Sequence, residues 1–221
     1  SLNDKSLAAQ GRTLDISVKG EVQAWASDIA EQFGAIDILV NNAGVATGAT
    51  VEDSKYEDIE WLMGINFWGV VYGTKEFLPL LRKSSQGHLV NISSIFGMMG
   101  VPTQSAYNAA KFAVRGYTEA LSQELAGSNV HVCCVHPGGI KTNIARNARI
   151  TDPNTSQKER EDGFDKMART TSESAAAQII GAIEKRKKRL LIGLDAKLMS
   201  LIIRLFPASY PRFVSGLGKI G

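Results

Sequence analysis

The sequence predicts an α/β protein built on a doubly wound parallel sheet, and three observations predict it. Short apolar runs without clean in–out alternation recur at Ile36-Asp37-Ile38-Leu39-Val40, His88-Leu89-Val90-Asn91-Ile92 and Val130-His131-Val132-Cys133-Cys134-Val135. A stretch of helical periodicity follows each run, the pattern of a parallel sheet covered on both faces. Turn residues close the first and third runs, as Asn41-Asn42-Ala43-Gly44 and Pro137-Gly138.

In order along the chain, Ala24 to Phe33 reads as a helix stopped by Gly34 and followed by the strand at Ile36. A long helix is expected over roughly 56–83, interrupted softly by Gly64, Gly69 and Gly73. The strand at His88 leads to a helix over 105–126, then comes the strand at Val130. A helix over 175–187, a short strand over 189–193 and an amphipathic or buried helix over 196–206 complete the pattern. The opening does not follow the pattern. A sheet of this kind begins with a strand, a glycine-rich turn and a helix that holds cofactor phosphates, and residues 1–14 supply none of them. A strand leading into Leu14-Asp15-Ile16 is expected, and the native polypeptide is expected to extend before Ser1 and to include further residues between Leu7 and Arg12.

The 221 residues suit a single domain over 1–221, with a substrate lid at about 143–174 and a helical extension at about 194–221. A net charge of +3, with no basic stripe interleaved with aromatics, argues against nucleic acid as a partner. No apolar run reaches the length of about 18 residues needed to span a bilayer. The two cysteines, Cys133 and Cys134, are neighbours on a predicted strand and point to opposite faces, so no bridge between them is expected. With no signal-peptide pattern, a reducing cytoplasm is the expected location.

Chemistry concentrates in one place. Tyr107 and Lys111 stand four residues apart on a predicted helix, so phenol and ammonium share a face, and Ser94 lies thirteen residues before the tyrosine. A neighbouring cation favours phenolate and is expected to lower the tyrosine pKa from its ordinary value of about 10. Tyr107 is the candidate general acid/base at a carbon–oxygen bond, and Ser94 the candidate group that orients the substrate oxygen. Ser93 competes for that role as a turn serine. His136, at a strand end, reads as structural.

With these residues in order, the chain resembles the classical short-chain dehydrogenase/reductase family from about Asp15 to Thr142, and more loosely to Gly193. The resemblance implies a Rossmann-type fold and hydride transfer with NAD or NADP, without choosing between the two. It implies a catalytic tetrad of Asn66, Ser94, Tyr107 and Lys111, in which Lys111 also bonds the nicotinamide ribose and Asn66 holds a relay water. The cofactor would be contacted by Asn41, Ala43 and Gly44 on the adenosine side, with Tyr107 and Lys111 at the ribose. Pro137, Gly138 and Ile140 would line the nicotinamide, and Thr142 would bond its carboxamide. Asp15 resembles the aspartate that accepts from the adenine amino group, with a helix N-cap as the rival reading.

The resulting expectation is an oxidoreductase interconverting a small-molecule ketone and secondary alcohol, with Tyr107 as acid/base. The alternatives are an acyl-thioester ketoreductase and a non-catalytic dinucleotide-binding protein. Ile95, Phe96, Met98, Met99 and Val101 suggest an apolar pocket wall, although core packing would use the same residues. Homodimers or homotetramers would form through the helices holding Asn66 and Tyr107. The basic run Lys185-Arg186-Lys187-Lys188-Arg189 and the last helix raise membrane contact, but a solvated helix end is the favoured reading there.

Overall fold

The computed structural model describes residues 9–150, 163 and 168–214. Four parallel strands form the main sheet: β1 (Ile38–Asn41), β3 (Gly87–Ile92), β4 (Val130–Pro137) and β6 (Arg189–Ile192), in the order β1-β3-β4-β6. Two short strands, β2 (Thr47–Gly48) and β5 (Arg149–Ile150), pair in parallel beside it. The strands are joined by α1 (Lys19–Phe33) ahead of β1, α2 (Tyr56–Met63) and α3 (Gly69–Lys83) ahead of β3, and α4 (Ser105–Glu124) ahead of β4. After β5 come α5 (Ser172–Glu184), then β6, α6 (Leu194–Leu205) and α7 (Pro211–Val214).

Register decides which strand residues face which layer. Leu39, Leu89 and Val132 are partners across three strands and lie on one face. There they pack with Val22 and Ala26 of α1, Phe77 and Leu81 of α3, and Leu121 of α4. The next residues along, Val90 and Cys133, point the other way into a second core with Ala175 and Ala182 of α5. Both faces therefore carry helices, as a doubly wound sheet requires. Cys133 and Cys134 fall on opposite faces, both buried and free, and burial pushes their thiols up to about 11 and about 12. At neutral pH neither is a thiolate.

The long helix expected over 56–83 is present with one change of pitch: Gly64–Trp68 forms a π-turn between α2 and α3, in which the Gly69 amide bonds the Gly64 carbonyl. Gly34 closes α1 at φ 72°, the left-handed C-terminal position that glycine adopts without cost. The expected strand into Leu14–Ile16 is not formed; these residues reach a turn at Ile16–Ser17 and pack Leu14 and Ile16 on the first core. No helix among the described residues is long and apolar enough to cross a membrane.

Candidate active site

The end of β3 delivers two serines to the carboxyl edge of the sheet, and the structure gives them different tasks. Ser93 turns inward and its hydroxyl donates to the Lys111 carbonyl at 2.8 Å, tying β3 to α4. Ser94 caps the short 3-10 turn Ile95–Gly97, its Oγ accepting from the Phe96 amide at 3.1 Å. The same hydroxyl lies close enough to Tyr107 to act on its acidity. Tyr107 stands in the first turn of α4, and Lys111 one turn later places its ammonium 5.6 Å from the tyrosine ring centre.

The electrostatic balance differs from the sequence expectation. Burial raises the Tyr107 pKa above its ordinary value, and the opposing pull comes from the Ser94 hydroxyl. The expectation placed the pull on Lys111, but that ammonium is 3% exposed and burial lowers its own pKa to about 8. A buried cation stays charged only with acceptors around it. Lys111 Nζ donates to the Ile92 carbonyl at 3.1 Å, leaving two of its three donors for other acceptors.

Asn66 occupies the middle of the π-turn, a feature that recurs at functional sites. It is fully buried, and its carboxamide grips the Val45 backbone at both ends: Oδ1 accepts from the amide and Nδ2 donates to the carbonyl, each at 2.8 Å. The side chain expected to hold a water thus also fixes the turn that follows β1. Gly44 lies in that turn. A methyl there would come 3.4 Å from Asn66 Oδ1 and 3.5 Å from Lys111 Nζ, so bare backbone borders two of the four tetrad residues.

The remaining cofactor candidates divide. Asn41 turns its carboxamide into the protein, donating to Asn91 Oδ1 at 2.8 Å and Thr74 Oγ1 at 3.2 Å, and Gly73 on α3 makes room for it. Its side chain is thus structural support, whereas the expectation for this turn concerned its backbone. Ala43 is exposed beyond it. Asp15 is exposed in the turn before α1, where Oδ1 accepts from the Ser17 amide and hydroxyl at 2.8 and 2.7 Å. Those bonds hold its carboxyl below the usual carboxylate range. Val18 rather than Asp15 occupies the N-cap. Pro137 ends β4, and the Gly138 amide bonds Ile192 at the end of β6. Ile140 bridges to Thr170 and is partly buried against the second core. Thr142 is exposed, its hydroxyl accepting from the Ile144 amide at 3.4 Å.

The apolar wall expected from residues 95–101 is largely core. Ile95, Met98 and Met99 are buried against Ala196, Met199 and Ile203 of α6. Phe96 meets the Tyr107 ring edge-on at 6.2 Å between ring centres. Residues 151–162 and 164–167 of the expected lid lie outside the described residues. A cavity of about 410 Å³ lined by Thr170, Gln178 and Lys197 includes none of the four tetrad candidates.

Several supporting residues had no signal in the sequence. Asn108, next to Tyr107, donates to the Phe96 and Met99 carbonyls at 2.7 Å each and accepts from the Val101 amide at 3.0 Å. It clasps the loop after Ser94 onto α4. Asp195, in the first turn of α6, accepts from the Gly139 amide at 2.7 Å, and its carboxylate fills the space that a side chain at Gly138 would need. An acidic residue opening a helix was legible as an N-terminal signal, but not its partner 56 residues away.

His136 is fully buried, with Nδ1 3.1 Å from the Ser94 carbonyl. A carbonyl can only accept, so Nδ1 carries the proton and Nε2 is the bare nitrogen, buried without a partner among the described residues. Protonating Nε2 would strand a cation in the core, and burial pushes the His136 pKa down to about 4 from 6.5. The unfolded chain therefore takes up this proton first. The stability is whole above about 6.5 and is lost as pH falls toward 4, amounting to roughly 3 kcal/mol. Urea midpoints measured from neutral to about pH 4 should fall more gently in His136→Asn, which keeps a donor near Nδ1 and cannot titrate. Parallel curves for the two proteins would refute the account.

A family profile described as short chain dehydrogenase matches residues 1–153. The chain is 45% identical over 220 residues to the SadH protein of Mycobacterium tuberculosis, covering 97% of this chain and 80% of that one. It is 41% identical over 151 residues to a 3-ketodihydrosphingosine reductase of Bacteroides thetaiotaomicron, covering 68% of this chain and 56% of the relative. Among solved structures, a short chain dehydrogenase/reductase from Burkholderia phymatum in complex with NAD superposes with a TM-score of 0.81 at 28% identity. The match covers 92% of this chain and 79% of that chain.

Proposed function

The chain belongs to the short-chain dehydrogenase/reductase family, and on that premise we propose that it interconverts a ketone and a secondary alcohol with a nicotinamide nucleotide, Tyr107 acting as acid/base. The observation that carries the reading is the convergence of Ser94, past the carboxyl end of β3, with Tyr107 and Lys111 in the first two turns of α4, the Ser94 hydroxyl lying beside the phenol. The residues fit such a cofactor. Lys111 is a buried cation with donors to spare, and bare backbone at Gly44 lies next to it. The solved relative from Burkholderia phymatum was crystallised with NAD, which supports a nicotinamide nucleotide here.

When bound, the nicotinamide supplies or accepts the hydride. The protein's share is proton transfer and placement. Burial keeps Tyr107 protonated at neutral pH, as carbonyl reduction needs, and the Ser94 hydroxyl can hold the reacting oxygen against it. Lys111 would donate to ribose hydroxyls and stabilise the phenolate left behind. The similarity to a 3-ketodihydrosphingosine reductase favours a ketone on a long-chain substrate within this class. Contact between copies is assigned to the helices bearing Asn66 and Tyr107, where Trp68 and Phe112 are 48% and 42% exposed.

A panel of ketones and secondary alcohols, read by absorbance of reduced nicotinamide with NAD and NADP in parallel, tests the proposal. Turnover of at least one pair is expected. Binding of neither nucleotide, together with no turnover across the panel, would overturn it.

A further inference from the structure

Helix α6 is apolar on two opposite faces, and its neighbours account for only one of them. Ala196, Met199 and Ile203 pack inward against the loop that follows Ser94. At about 100° per residue, Leu194, Leu198, Leu201 and Leu205 form a second stripe within a sector of roughly 60° on the opposite side. These four leucines are 84%, 55%, 53% and 61% exposed, and beyond the helix Phe206 and Phe213, their ring centres 5.4 Å apart, are 46% and 55% exposed. An amphipathic helix normally buries its apolar stripe, and an exposed apolar patch of this kind marks a docking surface.

The charge around the stripe identifies what it meets. From Ala196 to Phe213 the sequence carries Lys197, Arg204 and Arg212 and no carboxylate. Lys197 and Arg204, seven residues apart, lie along one flank of the stripe, and neither is in an ion pair with a carboxylate among the described residues. Asp195 on the preceding turn is engaged by the Gly139 amide. Pairing two copies through this face would set cations against cations with no acid to offset them. An anionic surface that takes up leucine and phenylalanine side chains satisfies both halves of the pattern. At 12 residues the helix is about 18 Å long, too short to span a bilayer but suited to lying in its interface.

We propose that α6 and α7 dock this protein on anionic lipid membranes, with Leu194, Leu198, Leu201, Leu205, Phe206 and Phe213 inserted among the acyl chains and Lys197 and Arg204 at the headgroups. The inner face of α6 supports Met98 and Met99, and the Tyr210 hydroxyl accepts from the Gly100 amide at 2.9 Å. The docked helix thus holds the loop running from Ser94 toward Tyr107, so the membrane surface lies against one wall of the candidate site. This placement stands on the surface alone and survives whatever reaction the site performs.

Co-sedimentation of the whole chain with phosphatidylcholine vesicles, and with mixed phosphatidylcholine–phosphatidylglycerol vesicles, tests the proposal. Wild type should sediment with the mixed vesicles, and binding should weaken with added salt. Lys197→Gln combined with Arg204→Gln should lower partitioning by about thirtyfold. Leu198→Ser combined with Leu201→Ser should abolish binding, with both variants melting as wild type because the changed side chains are exposed. Wild type remaining in the supernatant with mixed vesicles overturns the proposal. Equal binding to both vesicle types overturns the charge assignment. A wild-type dimer that becomes monomeric in the leucine variant, with no vesicle binding by either protein, replaces lipid with a second copy and overturns it as well.

Discussion

Tyr107→Phe should lower turnover by about a hundred- to ten-thousand-fold, the range that general acid/base catalysis contributes, while nucleotide binding stays near wild type. The substitution removes one oxygen and leaves the ring, which packs edge-on against Phe96, in place. The lost oxygen is the one the Ser94 hydroxyl approaches. A positioning role for the ring alone would leave most activity intact, and substantial residual turnover would end the acid/base assignment. Direction and pH add a second check. Tyr107 is held protonated by burial, so the reductive reaction should run at full rate at neutral pH, whereas oxidation, which needs the phenolate, should rise with pH. Lys111 gives up its charge near pH 8 and with it the stabilisation of that phenolate, so the rise in oxidation should be gradual. Nucleotide titration by fluorescence and initial rates in both directions measure each part.

What was legible in the sequence was local. Helix ends marked by glycine, strands marked by branched apolar runs and the four-residue spacing of Tyr107 and Lys111 all depend on neighbours within a few positions. The offset favoured Ser94 over Ser93, and the two hydroxyls have different surroundings: that of Ser93 is bonded to α4 and that of Ser94 lies beside the phenol. What was not legible is set by contacts across the fold. The sign of the Tyr107 shift depends on how deeply α4 buries it, which no spacing reports. Asn41 carries a side chain as suited to a ligand as to a buried network; only the position of Asn91, 50 residues on, decides. Asn91 in turn donates to Thr118 on α4 at 3.0 Å, so one chain of side-chain bonds crosses β1, β3 and α4 under the candidate site. The apolar residues after Ser94 were ambiguous for the same reason. A pocket wall and a packing surface for α6 call for the same side chains.

Gly97→Ala should disable the site from a position that touches no substrate. Gly97 ends the 3-10 turn after Ser94, and its amide bonds the Ser94 carbonyl at 3.0 Å. Its backbone conformation is open to any residue; the obstacle is space. A methyl there would lie 2.6 Å from the Lys111 carbonyl oxygen and press on the Ser93 hydroxyl, and backbone on that side cannot swing away as a side-chain tip can. The turn must therefore move off α4, breaking the Ser93–Lys111 bond and carrying Ser94 away from Tyr107. Overpacking of this kind costs about 1–3 kcal/mol, and the displaced serine should reduce turnover more than the loss of stability alone explains. Gly116→Ala on the same helix is the control: nothing lies within 4 Å of its added methyl, and alanine in a helix interior is favoured by roughly 0.5–1 kcal/mol. Thermal melts and kcat measured side by side should move in opposite directions for stability, with turnover lost only at Gly97. Wild-type behaviour in Gly97→Ala would mean that the turn and α4 are not in the close contact on which the alignment of Ser94 with Tyr107 depends.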